Sequence, residues 1–353
     1  MTKEQSKSLQ GIAILLMIYH HLFLAPVEGT QILFPEMTTK IAMFGRLCVG
    51  LFSFVSGYGM YRTLIKEDHR TTFYFRLRSD YGLALRRIMQ LYLKVWAVLL
   101  VFKGIDFLVL QKPFELQEMV LNLLCVQTSY NSPLWYVQEY VWMMLLVPWL
   151  DVLTADFAVS KEKRWQRIWI AIAVSLALLV LVFRNITIIS SVIEILRPAI
   201  LLVFVAAFLI ARVDLLSRLG EAVRSRGRGI AQVIGWGSLI VTCILRMLVT
   251  TDGSFVRYDV VFVPVFVFGF CLLSENAHRL QRGLRLFGDA SAFMWISHAF
   301  VFDLTLSPVV DLIPYHLCYY VIEVVLILAC AMIFGQIFRK YDIISAKRKQ
   351  SCK

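Results

Sequence analysis

The chain has 353 residues, of which 59% are hydrophobic and only 17% are charged. Soluble proteins are roughly half apolar and about a quarter charged, so this composition excludes an ordinary soluble protein. The net charge of +12 would suit nucleic acid. However, the basic residues occupy short segments between apolar stretches, which is typical of a membrane protein and argues against nucleic acid as a partner.

Ten apolar stretches predict membrane-spanning helices, because a bilayer core of roughly 30 Å requires about 20 helical residues. They cover residues 9–27, 41–63, 88–110, 134–153, 168–183, 198–213, 230–249, 260–273, 290–312 and 317–338. Most of the 36 Lys and Arg residues lie in alternate connecting segments. This bias predicts that both chain ends face the cytoplasm. We therefore expect an all-α polytopic membrane helix bundle with about ten transmembrane helices.

The sequence predicts one integral-membrane domain, residues 1–353, that ends in a basic cytoplasmic tail, residues 339–353. The first apolar stretch has no small-residue cleavage site, so we expect it to be retained rather than removed as a signal peptide. The seven cysteines lack metal-site spacing, and we expect no metal. Between the third and fourth spans, the stretch FELQEMVLNLL predicts an amphipathic helix at the interface.

Two adjacent histidines, His20 and His21, lie in the first predicted span. Gln10 precedes His21 by eleven residues, which places these two side chains on one helix face. Ionisable groups within a membrane are costly unless they face protein or water, so a histidine pair indicates function more than structure. Since neutral imidazole is a good general base near neutral pH, we predict that His21, with His20, is catalytic.

The entry to the third span is cationic, with Arg86, Arg87 and, two turns deeper, Lys94. Such a cluster would bind a phosphorylated donor, and membrane anchoring is the alternative role. In the second span, Ser56 and Tyr58 stand beside glycines, which allow close approach of a ligand or of a neighbouring helix.

Several ionisable residues lie inside the remaining spans. Glu139 is either a site acid or the partner of Arg46, which is itself buried or interfacial. His298 and Asp303 fall in the ninth predicted span. For these two, as for Arg246 and Glu323, a structural contact between helices is the expected role.

Five segments, in this order, resemble the membrane acyltransferase family 3. They are LQGIAILLMIYHHLF, VGLFSFVSGYGMY, LRRIMQLYLKVW, PLWYVQEYVWMMLLVPWL and LFGDASAFMWISH. Members of that family are multi-span enzymes, mostly bacterial, that acylate surface sugars. The resemblance extends over nearly the whole chain.

The family's first-span motif is an Arg-Gly pair followed by a histidine, and it maps onto Gln10, Gly11 and His21. Glutamine thus replaces the family's arginine. A later arginine of the third-span motif falls at Gln90, and the acidic residue that often precedes the second-span motif falls at Gly50. We expect Lys7 or Lys94 to supply the lost charge.

The resemblance implies an O-acyltransferase, foremost an O-acetyltransferase, of the bacterial inner membrane. Acetyl-CoA, or another acyl-CoA, would dock against Arg86 and Arg87 as a co-substrate, and no tightly bound cofactor is expected. His21 would act as the base or carry the acyl group, and the acceptor would be a cell-envelope glycan or lipid-linked sugar. The alternative is a proton-coupled transporter that uses the same His, Arg and Glu residues.

Overall fold

The computed structural model describes residues 1–24, 31–65, 73–154, 197–249, 257–275, 277–313 and 315–351. The fifth predicted span, residues 168–183, lies outside these ranges. Within them the chain is overwhelmingly helical and forms no β-strand, which confirms the predicted all-α class.

Twelve α-helices occur in the described ranges. They are α1 (Lys3–Phe23), α2 (Pro35–Gly45), α3 (Leu47–Leu64), α4 (Phe73–Leu108), α5 (Leu116–Leu123), α6 (Trp135–Thr154), α7 (Pro198–Arg212), α8 (Leu215–Arg224), α9 (Arg228–Val249), α10 (Asp259–Ser274), α11 (His278–Leu312) and α12 (His316–Ser351). The predicted amphipathic stretch contains α5. Several helices, α4, α11 and α12 among them, extend well beyond the apolar stretches from which they were predicted.

By length and composition, three segments of the described chain are able to cross a membrane. They are Pro35–Leu64, which joins α2 to α3, Arg228–Val249 and His316–Arg339. Helices α7 and α8 meet at a bend of 63° and make a fourth segment if they are taken as one span. The count of ten spans and the cytoplasmic position of both ends therefore stay predictions.

The second predicted span is divided at Arg46, where α2 ends and α3 begins. The last carbonyl groups of a helix have no hydrogen-bond donors within that helix. At the end of α2, a side chain from α9 donates hydrogen bonds to two of these carbonyl groups. Arg246 donates to the carbonyl oxygens of Phe44 at 2.8 Å and Met43 at 3.3 Å. Its Nε also donates to Oδ1 of Asp259 at 2.8 Å, and both side chains are buried. Such a pair persists in an apolar interior only when its other hydrogen bonds are satisfied, as they are here.

Helices α1 and α11 pack closely and run parallel. Lys7, near the beginning of α1, pairs with Asp289 in α11, and His21 contacts His298 further along both helices. At the crossing, a Cβ on Gly11 would overlap the carbonyl oxygen of Leu284. Small residues permit this kind of backbone approach, which explains a glycine at this position.

Four further helix pairs pack closely. Helix α3 lies on α7, α4 on α6, α9 on α10, and α12 on α11. In addition, α1 packs on α3, and α4 contacts α11. They surround the space that contains the candidate site.

Candidate active site

A cavity of about 860 Å³ extends along α1 through the middle of the bundle. Its walls include Lys3 and Lys7 near the start of α1 and His20 and His21 near its end. At about 1.5 Å per residue, Lys3 and His21 are roughly 27 Å apart along the helix axis. This volume lies within the usual range for a site that holds a small molecule or cofactor.

The cavity lining is strongly basic. Among the described residues that form it there is no carboxylate, and the Lys and Arg residues are Lys3, Lys7, Arg46, Arg62, Arg87, Lys94 and Arg197. Lys3, Lys7, Arg62 and Arg87 form what we call the cationic mouth, near the beginning of α1. A concave surface that carries one sign of charge raises the local concentration of ligands of the opposite sign. The cavity therefore favours an anionic ligand.

Three imidazole rings meet at the opposite end of the cavity. The ring centroid of His21 lies 5.1 Å from that of His20 and 5.0 Å from that of His298. His298 comes from α11 and reaches His21 because α1 and α11 run parallel. We call these three residues the histidine cluster.

Backbone carbonyl groups fix two of the three rings. Nδ1 of His20 lies 2.7 Å from the oxygen of Ala42, and Nδ1 of His298 lies 2.6 Å from the oxygen of Trp295. A carbonyl oxygen only accepts hydrogen bonds, so Nδ1 carries the proton in both rings. When these rings are neutral, each Nε2 therefore keeps its lone pair.

His21 is the exposed member of the histidine cluster, and the surface it exposes lines the cavity. The side chain of His20 is 7% exposed, and that of His298 is fully buried. A general base has to reach the proton that it removes, so the geometry favours His21 over His20 for that role.

Most of the residues singled out from the sequence line the same cavity. They are Gln10, His20, His21, Arg46, Ser56, Tyr58, Arg87 and Lys94. Gln10 and His21 share one wall, as their eleven-residue spacing predicts. Gln90, at the position of the family's later arginine, also lines the cavity, between Arg87 and Lys94. Lys94 thus supplies positive charge one turn beyond the glutamine, and its Nζ lies 5.7 Å from the ring centroid of Phe293.

Arg86 and Glu139 do not line the cavity. Arg86 is an exposed side chain of α4, although it precedes Arg87 directly. Glu139 is buried, and its Oε1 accepts a hydrogen bond from the backbone N–H of Arg197 at 2.8 Å. Glu139 therefore binds the backbone of Arg197 rather than Arg46, and it does not form part of the cavity lining.

Asp303 lies in a separate cleft of about 180 Å³, beyond the histidine cluster. There Asp106 accepts hydrogen bonds from Lys103 at 2.7 Å and pairs with Lys112 at 2.8 Å. The hydrogen bond with Asp106 raises the pKa of the Lys112 ammonium group. Asp303 is an exposed member of this charged cleft, so the structure does not bring it to the histidine cluster.

Arg197 is a candidate site residue that the sequence analysis missed. Its guanidinium group stacks over the ring of Trp135 at 3.5 Å from the centroid, and both residues line the cavity with Trp295. One signal was available in the sequence. Arg197 stands directly before an apolar stretch on the predicted outer side, where basic residues are scarce.

Within the described part of the chain, no group of three or more His, Cys, Asp or Glu side chains is arranged to hold a metal ion. The histidine cluster lies at one end of a basic cavity. Its chemistry is that of imidazole beside a cationic cavity.

Comparison with known proteins identifies the family. A family model described as an acyltransferase domain, that of acyltransferase family 3, matches residues 7–336. The matched residues run from α1 into α12 and include nearly all of the cavity lining. No curated protein and no solved structure matches the chain significantly. The apolar helices and the family match together show that the chain belongs to acyltransferase family 3 and is a membrane acyltransferase.

Proposed function

We propose that the protein transfers an acetyl group from acetyl-CoA to a hydroxyl group of a cell-envelope glycan at the bacterial inner membrane. The beginning of α1 then faces the cytoplasm, where acetyl-CoA is available. One observation carries this proposal: a single basic cavity joins the cationic mouth to His21.

The cationic mouth suits the phosphate groups of the donor. Acetyl-CoA carries its phosphates at one end of a long molecule and its reactive thioester at the other. Arginine and lysine side chains form charge-assisted hydrogen bonds with phosphate oxygens. With the phosphates held at Lys3, Lys7, Arg62 and Arg87, the arm of the donor extends along α1 and brings the thioester towards the histidine cluster.

The acceptor sugar enters from the opposite end, beside Trp135, Trp295 and Arg197. His21 takes the proton from the attacking hydroxyl group. The thioester carbonyl carbon becomes tetrahedral, and Arg46 and Arg197 stabilise the negative charge on its oxygen. The carbon–sulfur bond then breaks, and protonated His21 returns the proton to the sulfur of the departing CoA.

In a second course of the same reaction, His21 itself carries the acyl group. In that case the imidazole attacks the thioester first, and the carbon–sulfur bond breaks as CoA thiolate leaves. The sugar hydroxyl then attacks the acyl-imidazole, the acyl–nitrogen bond breaks, and the hydroxyl proton passes to the freed imidazole. Mass spectrometry of the protein after brief mixing with acetyl-CoA separates the two courses, since only the second adds an acetyl group to the chain. Membership of an acyltransferase family supports either course over the proton-coupled transporter.

Replacing His21 tests the proposal. In cells that carry His21→Ala in place of the natural residue, we expect glycan acetylation to fall at least about 100-fold, because a positioned general base contributes that much to the rate. The measurement is mass spectrometry of envelope glycans, with the amount of protein in the membrane determined in parallel.

His316→Ala is the matched control. His316, like His298, is buried and contacts a backbone carbonyl through Nδ1, that of Gln31 at 3.2 Å, but it does not line the cavity. We expect this variant to keep its activity. Full activity of His21→Ala would remove His21 from the mechanism, and glycans that do not change when the gene is deleted would refute the acceptor class.

A further inference from the structure

His298 is fully buried, and one of its two ring nitrogens lacks a partner. Nδ1–H donates to the oxygen of Trp295, whereas Nε2 has no hydrogen-bond partner in the structure. Buried polar atoms without partners are rare in folded proteins, because removing them from water costs free energy that nothing returns. This unpaired nitrogen therefore calls for an explanation.

The polar neighbour of His298 is His21. Their ring centroids are 5.0 Å apart at an interplanar angle of 41°, and Phe302 packs edge-on against another side of the His298 ring. When the nitrogen edges of two imidazole rings at this separation face each other, the nitrogens come to roughly 3 Å, which is hydrogen-bond distance. Since His21 is exposed to the cavity, its ring is free to turn into that orientation.

The hydrogen bond of His298 to Trp295 determines what Nε2 is able to do. Because Nδ1 holds the proton of the neutral ring, Nε2 has a lone pair and accepts a hydrogen bond. A ring N–H of His21 is a suitable donor. When His21 donates one ring N–H to Nε2 of His298, its other ring nitrogen is unprotonated and faces the cavity, as a base requires.

We propose that His298 is a positioning residue that holds His21 in its basic tautomer through a hydrogen bond from the His21 ring to Nε2 of His298. This inference rests on the proposed role of His21 as the base. The chain of contacts runs from the carbonyl of Trp295 through His298 to His21. It follows the general pattern in which a third group orients the base of a catalytic pair, here with a neutral imidazole in place of a carboxylate.

His20 does not serve this purpose. It is adjacent to His21 on α1, so the two side chains leave the helix about 100° apart. Its ring also lines the cavity, where a ligand reaches it. His298 approaches from a different helix and is shielded from the cavity, which suits a group that acts through His21 alone.

Three variants of the full chain test the proposal kinetically. His298→Phe keeps a ring but removes Nε2. His298→Gln keeps an acceptor, because its amide oxygen is able to take the place of Nε2. His316→Phe is the matched control for loss of a buried histidine. Each purified protein is supplied with acetyl-CoA and with membranes of a strain that lacks the gene, which contain the acceptor.

We expect His298→Phe to lower kcat on the order of 100-fold while KM for acetyl-CoA and the temperature of unfolding match those of His316→Phe. His298→Gln should recover most of the lost rate. If His21→Ala is inactive but His298→Phe keeps the full kcat, that result overturns the positioning role of His298. Equal loss in His298→Phe and His298→Gln would do the same.

A spectroscopic test does not depend on acyl transfer. Solid-state NMR of the full chain in bilayers, with ¹⁵N-labelled histidine and no substrate, reports the tautomer of His21. We expect one tautomer of neutral His21 in the natural protein and a mixture in His298→Phe. Identical His21 signals in both proteins would overturn the inference. If the tautomer changes as expected but the natural protein shows no acyl turnover, the inference stands and the proposed function fails.

Discussion

Arg86 and Arg87 are neighbours in the sequence, but only Arg87 reaches the cavity. Successive residues of a helix leave it about 100° apart, so one side chain of such a pair points to the cavity when the other points away. From the sequence both arginines were predicted to bind the donor. The structure provides a way to separate donor binding from the general attraction of a basic membrane surface.

Arg87→Ala should weaken binding of acetyl-CoA by about tenfold or more, because a hydrogen bond to a charged group contributes roughly 1.5–3 kcal/mol. Arg86→Ala removes the same charge from the same helix turn and should change the affinity little. Calorimetric titration of the purified proteins with acetyl-CoA measures both. Equal weakening by the two substitutions would show that overall charge, rather than the cavity, binds the donor.

Individual site residues were predictable where the signal is local. The eleven-residue spacing of Gln10 and His21 sets a common helix face whatever the rest of the chain does. The contact between His21 and His298 joins α1 to α11, and no local pattern reports it. Arg197 left a local signal, its place before an apolar stretch, but its contacts with Trp135 and Glu139 from α6 are equally long-range.

At the level of single helices, the close packing of α1 against α11 is the main constraint on the geometry of the site. Gly11 faces the backbone of α11 at Leu284, and the opposing Gly288 faces the backbone of α1 at Lys7. Both helices carry members of the histidine cluster. Any side chain at this crossing would therefore change the position of His298 relative to His21.

Gly11→Ala tests this constraint. The added methyl group overlaps the carbonyl oxygen of Leu284, so the helices must separate, and we expect a lower unfolding temperature together with reduced activity. Gly104→Ala in α4 is the matched control, since a Cβ there meets nothing within 4 Å. In an exposed helical setting this change is neutral or slightly stabilising. Differential scanning fluorimetry in detergent compares the two, and an unaltered Gly11→Ala protein would disprove the constraint.

The locations of the helices followed from the sequence better than their ends and interruptions did. Runs of apolar residues located the helices because burial in lipid or in a protein core requires them. The break between α2 and α3 depends on Arg246 of α9, which takes up the carbonyl groups at the end of α2. An interaction between segments about 200 residues apart leaves no periodic signal in either of them.

For the molecule as a whole, the cavity is the organising feature. It is formed by side chains of α1, α3, α4, α6 and α11, together with residues around the start of α7. The sequence predicted a cationic donor site at Arg86, Arg87 and Lys94 and a catalytic pair, His20 and His21, but not the cationic mouth and the histidine cluster as the structure forms them. Their connection by one continuous space depends on how all these helices pack, so only the structure establishes it.

Ser56→Trp should obstruct the cavity between its two ends. Ser56 lines the cavity on α3, remote from His21 in sequence, and a large ring there would stop the donor arm from reaching the histidine cluster. We expect glycan acetylation to be lost while the protein remains folded. Val233→Trp on α9, where the side chain is 73% exposed, adds the same ring outside the cavity and should have little effect. Normal acetylation by Ser56→Trp would mean that the donor takes another route.

The absence of carboxylates from the described cavity lining has an electrical consequence. A deep polar cavity inside a membrane protein gives protons and metal cations a place to enter. Fixed guanidinium and ammonium groups repel protons and metal cations from such a cavity, as arginine does in selective pores. We therefore expect the charges that are proposed to hold an anionic donor also to keep protons and metal cations out of the cavity.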